Sequence, residues 1–204
     1  MENTKERIVV HATELFARKG CKSITMDDIA SSMGISKRTI YENFSNKDEL
    51  VEACLNYFFE QHETNITSVL NSTDNIIDVM LRQMHDSSQM LRHVKFDFFN
   101  EIQKYFPNVY DSTVKKYKEQ HLINSTKMLQ KGQKDGVVRK DIDINLMAML
   151  IHTLANETLA GSLFSDCNAS KHDLMCLLMH NLTRGIVTPK GLDILDKYEE
   201  ENKK

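Results

Sequence analysis

Helix-breaking residues are scarce in this chain: seven glycines and two prolines, Pro107 and Pro189, serve 204 residues. Sandwiches and barrels need a turn signal roughly every ten residues, and that punctuation is missing. Long helices need few stops, so an all-α fold is predicted. The hydrophobic fraction of 41% is ordinary for a globular protein and can fill a real core. At about 150 residues per domain, the length suggests one domain or two small ones. No apolar run approaches the roughly 18 residues of a membrane span, and the opening MENTKERIVVHATELF lacks a basic region followed by an apolar one. A cytoplasmic protein with no membrane partner is the expectation. Cys21, Cys54, Cys167 and Cys176 are far apart and form no CxxC pair, as expected of reduced thiols. Net charge is −3, so any site for a polyanion must be a local patch.

The first 50 residues are dense in helix starts. Asn3 or Thr4 can cap a first helix with Ile8, Ala12, Leu15 and Phe16 on one face; Gly20 is expected to end it in a left-handed conformation. Thr25 and Asp28 stand at capping-box spacing for a short second helix that stops at Gly34. Ser36 caps a third, from Lys37 to about Asn43, and Ser45 is expected to cap a fourth from Asn46 to about Asn65. Beyond it, helices are predicted over about 74–91, 94–106, 108–135, 143–165 and 170–187, with a short one after Pro189.

A helix, a tight turn at Gly34 and a second short helix make the geometry of a helix-turn-helix. Ala30 is small enough for close approach, and Ile29, Met33, Ile35, Ile40 and Phe44 can fill the space between the helices. The second helix then presents Lys37, Arg38, Thr39, Tyr41, Glu42 and Asn43, mostly types that reach phosphates and base edges. It is expected in the major groove. Arg38 and Thr39 are placed on base edges, and Thr25, Ser36, Tyr41 and Lys47 on phosphates, with Lys37 able to do either. Glu42 would repel a phosphate or accept from a cytosine amino group.

The stretch MDDIASSMGISKRTIYENFSNKDEL, preceded by HATELFARKG, resembles the DNA-binding signature of the TetR (tetracycline repressor) family of bacterial regulators. The resemblance covers about the first 55 residues; beyond them only the helical architecture is similar. It implies a DNA-binding domain over 1–48 and a helical dimerisation and effector domain over 49–204. It also implies a homodimer on a pseudo-palindromic duplex operator, repression, and a small-molecule effector. One departure is Glu42, where many members carry an aromatic residue or His. Met80, Met84, Phe96, Phe99, Met128, Met147 and His152 are the expected effector-pocket walls. No cofactor is expected.

His172, Cys176 and His180 recur at i, i+4 and i+8, a spacing that fits metal ligands but also a plain polar stripe; no metal site is expected. Enzyme signatures such as a nucleophile elbow, a glycine-rich phosphate loop or HExxH are missing, so no catalytic residues are expected. A DNA-binding regulator without an effector is the leading alternative; an enzyme or a helical interaction module follows.

Overall fold

The computed structural model describes residues 3–72, 76–82, 94–95, 98–160 and 169–201. Among these the helices are α1 (Thr4–Lys19), α2 (Met26–Met33), α3 (Lys37–Asn43), α4 (Lys47–Ser72), α5 (residues 76–82), α6 (Phe98–Tyr105) and α7 (Pro107–Val109). A π-helical turn over Tyr110–Lys115 leads into α8 (Lys116–Lys134), and α9 (Ile144–Ala160), α10 (Lys171–Ile186) and α11 (Pro189–Glu201) follow. No strand occurs among the described residues; extended pairing is limited to an isolated bridge between Val138 and Val187. The chain divides into two compact units, one of residues 1–63 and 93–118, the other of 64–92 and 119–204.

In the first unit the backbone groups at helix ends are satisfied where the sequence places capping side chains. Asn3 accepts from Lys5 N–H and closes a capping box with Glu6. Thr25 and Asp28 form the expected reciprocal pair, and Ser36 accepts from Thr39 N–H. The start of α4 departs from expectation: Asn46 Oδ1, not Ser45, accepts from Glu49 N–H at 2.9 Å. Ser45 instead donates its own N–H to Glu49 Oε2 at 2.8 Å, so the cap stands one residue further on. Gly20 also differs. Its φ of 84° and ψ of 156° lie in a region essentially open only to glycine, outside the left-handed helical basin. A Cβ there would run into the Glu101 carboxylate.

Ile8, Phe16, Ile29, Ile40, Phe44, Leu50 and Leu55 are all but fully buried and form the centre of this unit's core. Phe98, Ile102 and Phe106 of the 93–118 segment join the same cluster. α6 stops at Tyr105, and Phe106 leaves helical geometry with φ −135° and ψ 56° before Pro107 opens α7. The break follows from the clash a proline ring imposes on the residue before it. The π-turn was not expected; within it Ser112 and Thr113 hydroxyls both donate to Val109 C=O.

The second unit packs Ile76, Ile77, Met80, Leu129, Val138, Ala148, Ile186 and Leu195 into a separate core. α9 begins at an Asp143 cap whose Oδ1 accepts from Asn145 and Leu146 N–H, and Ser170 caps α10. The terminal α11 is fuller than the short helix expected after Pro189.

Candidate nucleic-acid interface

α2 and α3 are joined through Gly34, which adopts the left-handed conformation with φ 66° and ψ 27°. Its N–H bonds back to α2, and Ile35 N–H reaches Ala30 C=O at 3.1 Å. This closes the turn tightly enough for Ile29, Ala30 and Ile40 to bury against one another's helices. Once Ile40 is committed to the core, helical periodicity turns Lys37, Arg38, Tyr41 and Glu42 outward, and all four are exposed.

The polar side chains on this face are mutually arranged. Ser36 Oγ and Thr39 Oγ1 lie 2.8 Å apart at the N-terminus of α3. Asn43 Nδ2 donates to Thr39 C=O at 2.8 Å. Lys37 pairs with Asp27 of α2, which raises the lysine pKa above its ordinary value. Arg38 Nε donates to Glu42 Oε1 at 2.7 Å, while the Arg38 side chain remains 87% exposed. Exposed pairs of this kind are worth about 0.2–1 kcal/mol, less than the about 1–3 kcal/mol of a bidentate contact to a base. Both cations can therefore exchange these partners for nucleic acid at small cost. Tyr41 is 52% exposed.

Thr25 is exposed, but its hydroxyl accepts from Asp28 N–H at 3.1 Å and donates to Asp28 Oδ2 at 2.7 Å. The hydroxyl's bond to Oδ2, joined by one from Thr25 N–H to the same oxygen at 2.8 Å, holds the Asp28 carboxyl below its usual pKa range. Lys47 is placed differently from the other candidates. Its ammonium lies 5.5 Å from the Phe106 ring centre and 6.0 Å from that of Phe16, and donates to Lys22 C=O at 3.4 Å. Burial lowers its pKa. Sequence reasoning missed two participants, Asp27 and Glu101. Glu101 accepts from Lys22 N–H at 3.2 Å and from Lys95 Nζ at 2.5 Å. No local signal marks a contact spanning residues 22 to 101.

The expected effector-wall residues fall in separate places. Met80 and Met128 are buried in the second unit's core, and Met147 packs against it. His152 is half-buried, its Nε2 2.7 Å from His121 Nδ1 and 3.4 Å from Ser125 Oγ. Phe99 belongs to the first unit, where it meets Phe58, Phe59 and Phe98. Met84 and Phe96 lie outside the described residues. Along α10, His180 Nε2 accepts from Arg184 Nε at 3.2 Å, leaving the ring proton on Nδ1, 3.0 Å from Glu199 Oε1. Arg184 also pairs with Asp196 and Glu199, so this part of the stripe ties α10 to α11. His172 Nε2 and Cys176 Sγ stand 3.9 Å apart.

A capped helix, a glycine turn and an exposed polar helix on a closed apolar core define a helix-turn-helix module. Residues 8–54 match the family described as bacterial regulatory proteins, tetR family. The match covers 47 of the 204 residues and takes in α2, the Gly34 turn and α3. It is 25% identical over 151 residues to the HTH-type transcriptional repressor KstR2 of Mycolicibacterium smegmatis, covering 72% of this chain and 73% of the relative. It is 33% identical over 103 residues to the HTH-type transcriptional regulator YvaF of Bacillus subtilis, covering 49% of this chain. That match spans 53% of YvaF's own length. A solved TetR-family regulator from Agrobacterium tumefaciens shares the fold, with a TM-score of 0.75 at 15% identity over 90% of this chain and 97% of the other.

Proposed function

We propose that the protein is a homodimeric transcriptional regulator, acting as a repressor that reads a pseudo-palindromic duplex operator. The observation that carries the reading is the α2–Gly34–α3 arrangement, which buries Ile40 and leaves Arg38 87% exposed. In this reading α3 enters the major groove, Arg38 and Thr39 meet base edges, and Ser36, Tyr41 and Lys37 hold phosphates. Thr25 contributes through the positive end of α2 as much as through its hydroxyl. Lys47 would reach a phosphate only by giving up its seat over Phe16 and Phe106. Glu42 keeps Arg38 extended along α3 until a base replaces it.

The dimer is supported by unpartnered apolar side chains on α9 and α10: Leu146, Met149, Leu150 and Leu177 are 44–64% exposed. These two helices also pack on each other, so together they offer the surface a four-helix interface requires. Two-fold symmetry would then set the readers about 34–36 Å apart, on successive major-groove faces. KstR2 is named a repressor, and repression comes to this chain by that likeness. A small-molecule effector of the second unit is supported by its adaptable methionines Met80, Met128 and Met147 and the polar group around His152. Such a ligand represses or releases only by binding the two reader spacings unequally.

The test is selection of duplexes from a random-sequence library by the full-length protein. An enriched inverted repeat with half-sites about one helical turn apart is the expected product. Recovery of no preferred sequence would overturn the reading.

A further inference from the structure

The cations on α3 are balanced by carboxylates: Lys37 by Asp27, and Arg38 by Glu42. A second group of cations in the same unit is arranged otherwise. Lys22, in the turn between α1 and α2, lies 4.7 Å from the Tyr105 ring centre. Lys104 lies 5.4 Å from the same ring. Lys22, Lys104 and Tyr105 are all exposed, and among the described residues neither lysine has a carboxylate within ion-pairing distance. The nearest acid, Glu101, is occupied by Lys95 and takes the Lys22 backbone rather than its ammonium.

We propose that Lys22 and Lys104, steadied by the Tyr105 ring, form a second phosphate contact beside the helix-turn-helix, one that holds duplex DNA without reading its sequence.

The proposal rests on the DNA-binding reading above and extends the surface that carries it. Several features favour a phosphate partner. The ring face restrains two flexible side chains while leaving their ammonium groups in water, which lowers the ordering cost of binding an anion. Lys22 precedes the α2 N-cap Thr25 by three residues, at most about 10–11 Å of extended chain. It therefore lies within one or two phosphates of the point where α2 would meet the backbone. Lys47 bonds to the Lys22 carbonyl and sits over Phe106, the residue after Tyr105, so the patch is tied to the start of α4 as well. The charged groups around it are Lys47, Lys95 and Glu101, with Asp28 and Asp48 beyond Lys47; counting Lys22 and Lys104 themselves, four cations face three acids. The lysines also draw the Tyr105 hydroxyl pKa down and Tyr105 draws that of Lys22 up, as expected of groups in direct contact. A lysine is a point charge suited to a phosphate and ill-suited to bidentate base reading, so the contact should be indifferent to sequence.

The experiment compares the parent, K22Q/K104Q and K22R/K104R by salt titration. Each binds two probes: the duplex the parent selects from a random library, and a shuffled duplex of equal length. The glutamine variant is expected to lower the slope of log affinity against log salt by about two per bound protomer, by the same amount on both duplexes. The arginine variant, which keeps both charges, is expected to restore it. An unchanged slope overturns the proposal, as does a loss confined to the selected duplex or a loss the arginines do not restore. If the parent selects no duplex at all, the DNA-binding reading fails first and this one falls with it.

Discussion

The two units of the chain follow different rules of construction. In the first, nearly every turn is set by a residue whose effect is local: Asn3, Thr25, Ser36 and Asn46 accept backbone N–H groups, and Gly20 and Gly34 take positive φ. In the second, order comes from apolar side chains meeting across long sequence separations, such as Ile76 with Val138 and Leu195. A reader of DNA has to present a few side chains at fixed positions, and local capping fixes them regardless of what binds elsewhere. The pairing with a second copy and the ligand proposed for the second unit call for apolar surface, which leaves no comparable short signature. The contrast can be broken or sharpened by substitution.

The largest effect is expected at Phe44, which is 1% exposed at the junction of α3 and α4. Phe44→Ala should destabilise the first unit by about 3–5 kcal/mol, read as a lower denaturant midpoint. The same measurement on an exposed apolar residue of the second unit, Leu177→Ala, should show a far smaller change in the protomer's stability. If both cost the same, Leu177 is not waiting for a partner. Replacing Leu146 and Leu177 with glutamate should instead dissociate the dimer, observed as monomer by sedimentation at micromolar concentration. A parent that is itself monomeric there would remove the dimer.

A smaller effect is expected from a cap. Thr25→Ala removes the acceptor for Asp28 N–H and should cost about 1 kcal/mol of stability, with the loss detected by hydrogen exchange in α2. The smallest effect is a pH dependence. Asp28 and Glu49 both have carboxyl pKa values held down in the folded chain, by Thr25 and Ser45 respectively. The stability they contribute is complete above their ordinary pKa values and is lost as the pH falls through the depressed ones. The midpoint of thermal unfolding should therefore drop on acidification to about pH 3, and drop less in D28N. Equal acid sensitivity in D28N and the parent would remove Asp28 as a cause.

The sequence-to-structure correspondence follows the range of each interaction. Helix starts at Asn3, Thr25, Ser36 and Ser170 were legible because a capping side chain acts within three residues of itself. At the start of α4 spacing favoured Ser45, whereas Asn46 takes Glu49 N–H and the Glu49 carboxylate takes Ser45 N–H. The exposed face of α3 was legible from Ile40 alone. The inward turn of Lys47 was not, because the rings it covers belong to Phe16 and Phe106, distant in sequence. Nor was the placement of Phe99, which helical periodicity assigns to a face without saying which unit that face meets. The π-turn at Tyr110–Lys115 was hidden for a related reason: Ser112 and Thr113 read as ordinary helix residues until their hydroxyls compete for one carbonyl.

The central claim is that α3 reads bases through Arg38. It is tested most directly by measuring the affinity of the parent and of Arg38→Ala for the selected duplex and for single-base-pair variants of it. The expected result is a loss of about 1–3 kcal/mol on the selected duplex, with discrimination relaxed at one base pair per half-site and retained elsewhere. A uniform loss across all variants would make Arg38 a phosphate contact, and equal binding by Arg38→Ala and the parent would contradict the placement of α3 in the major groove.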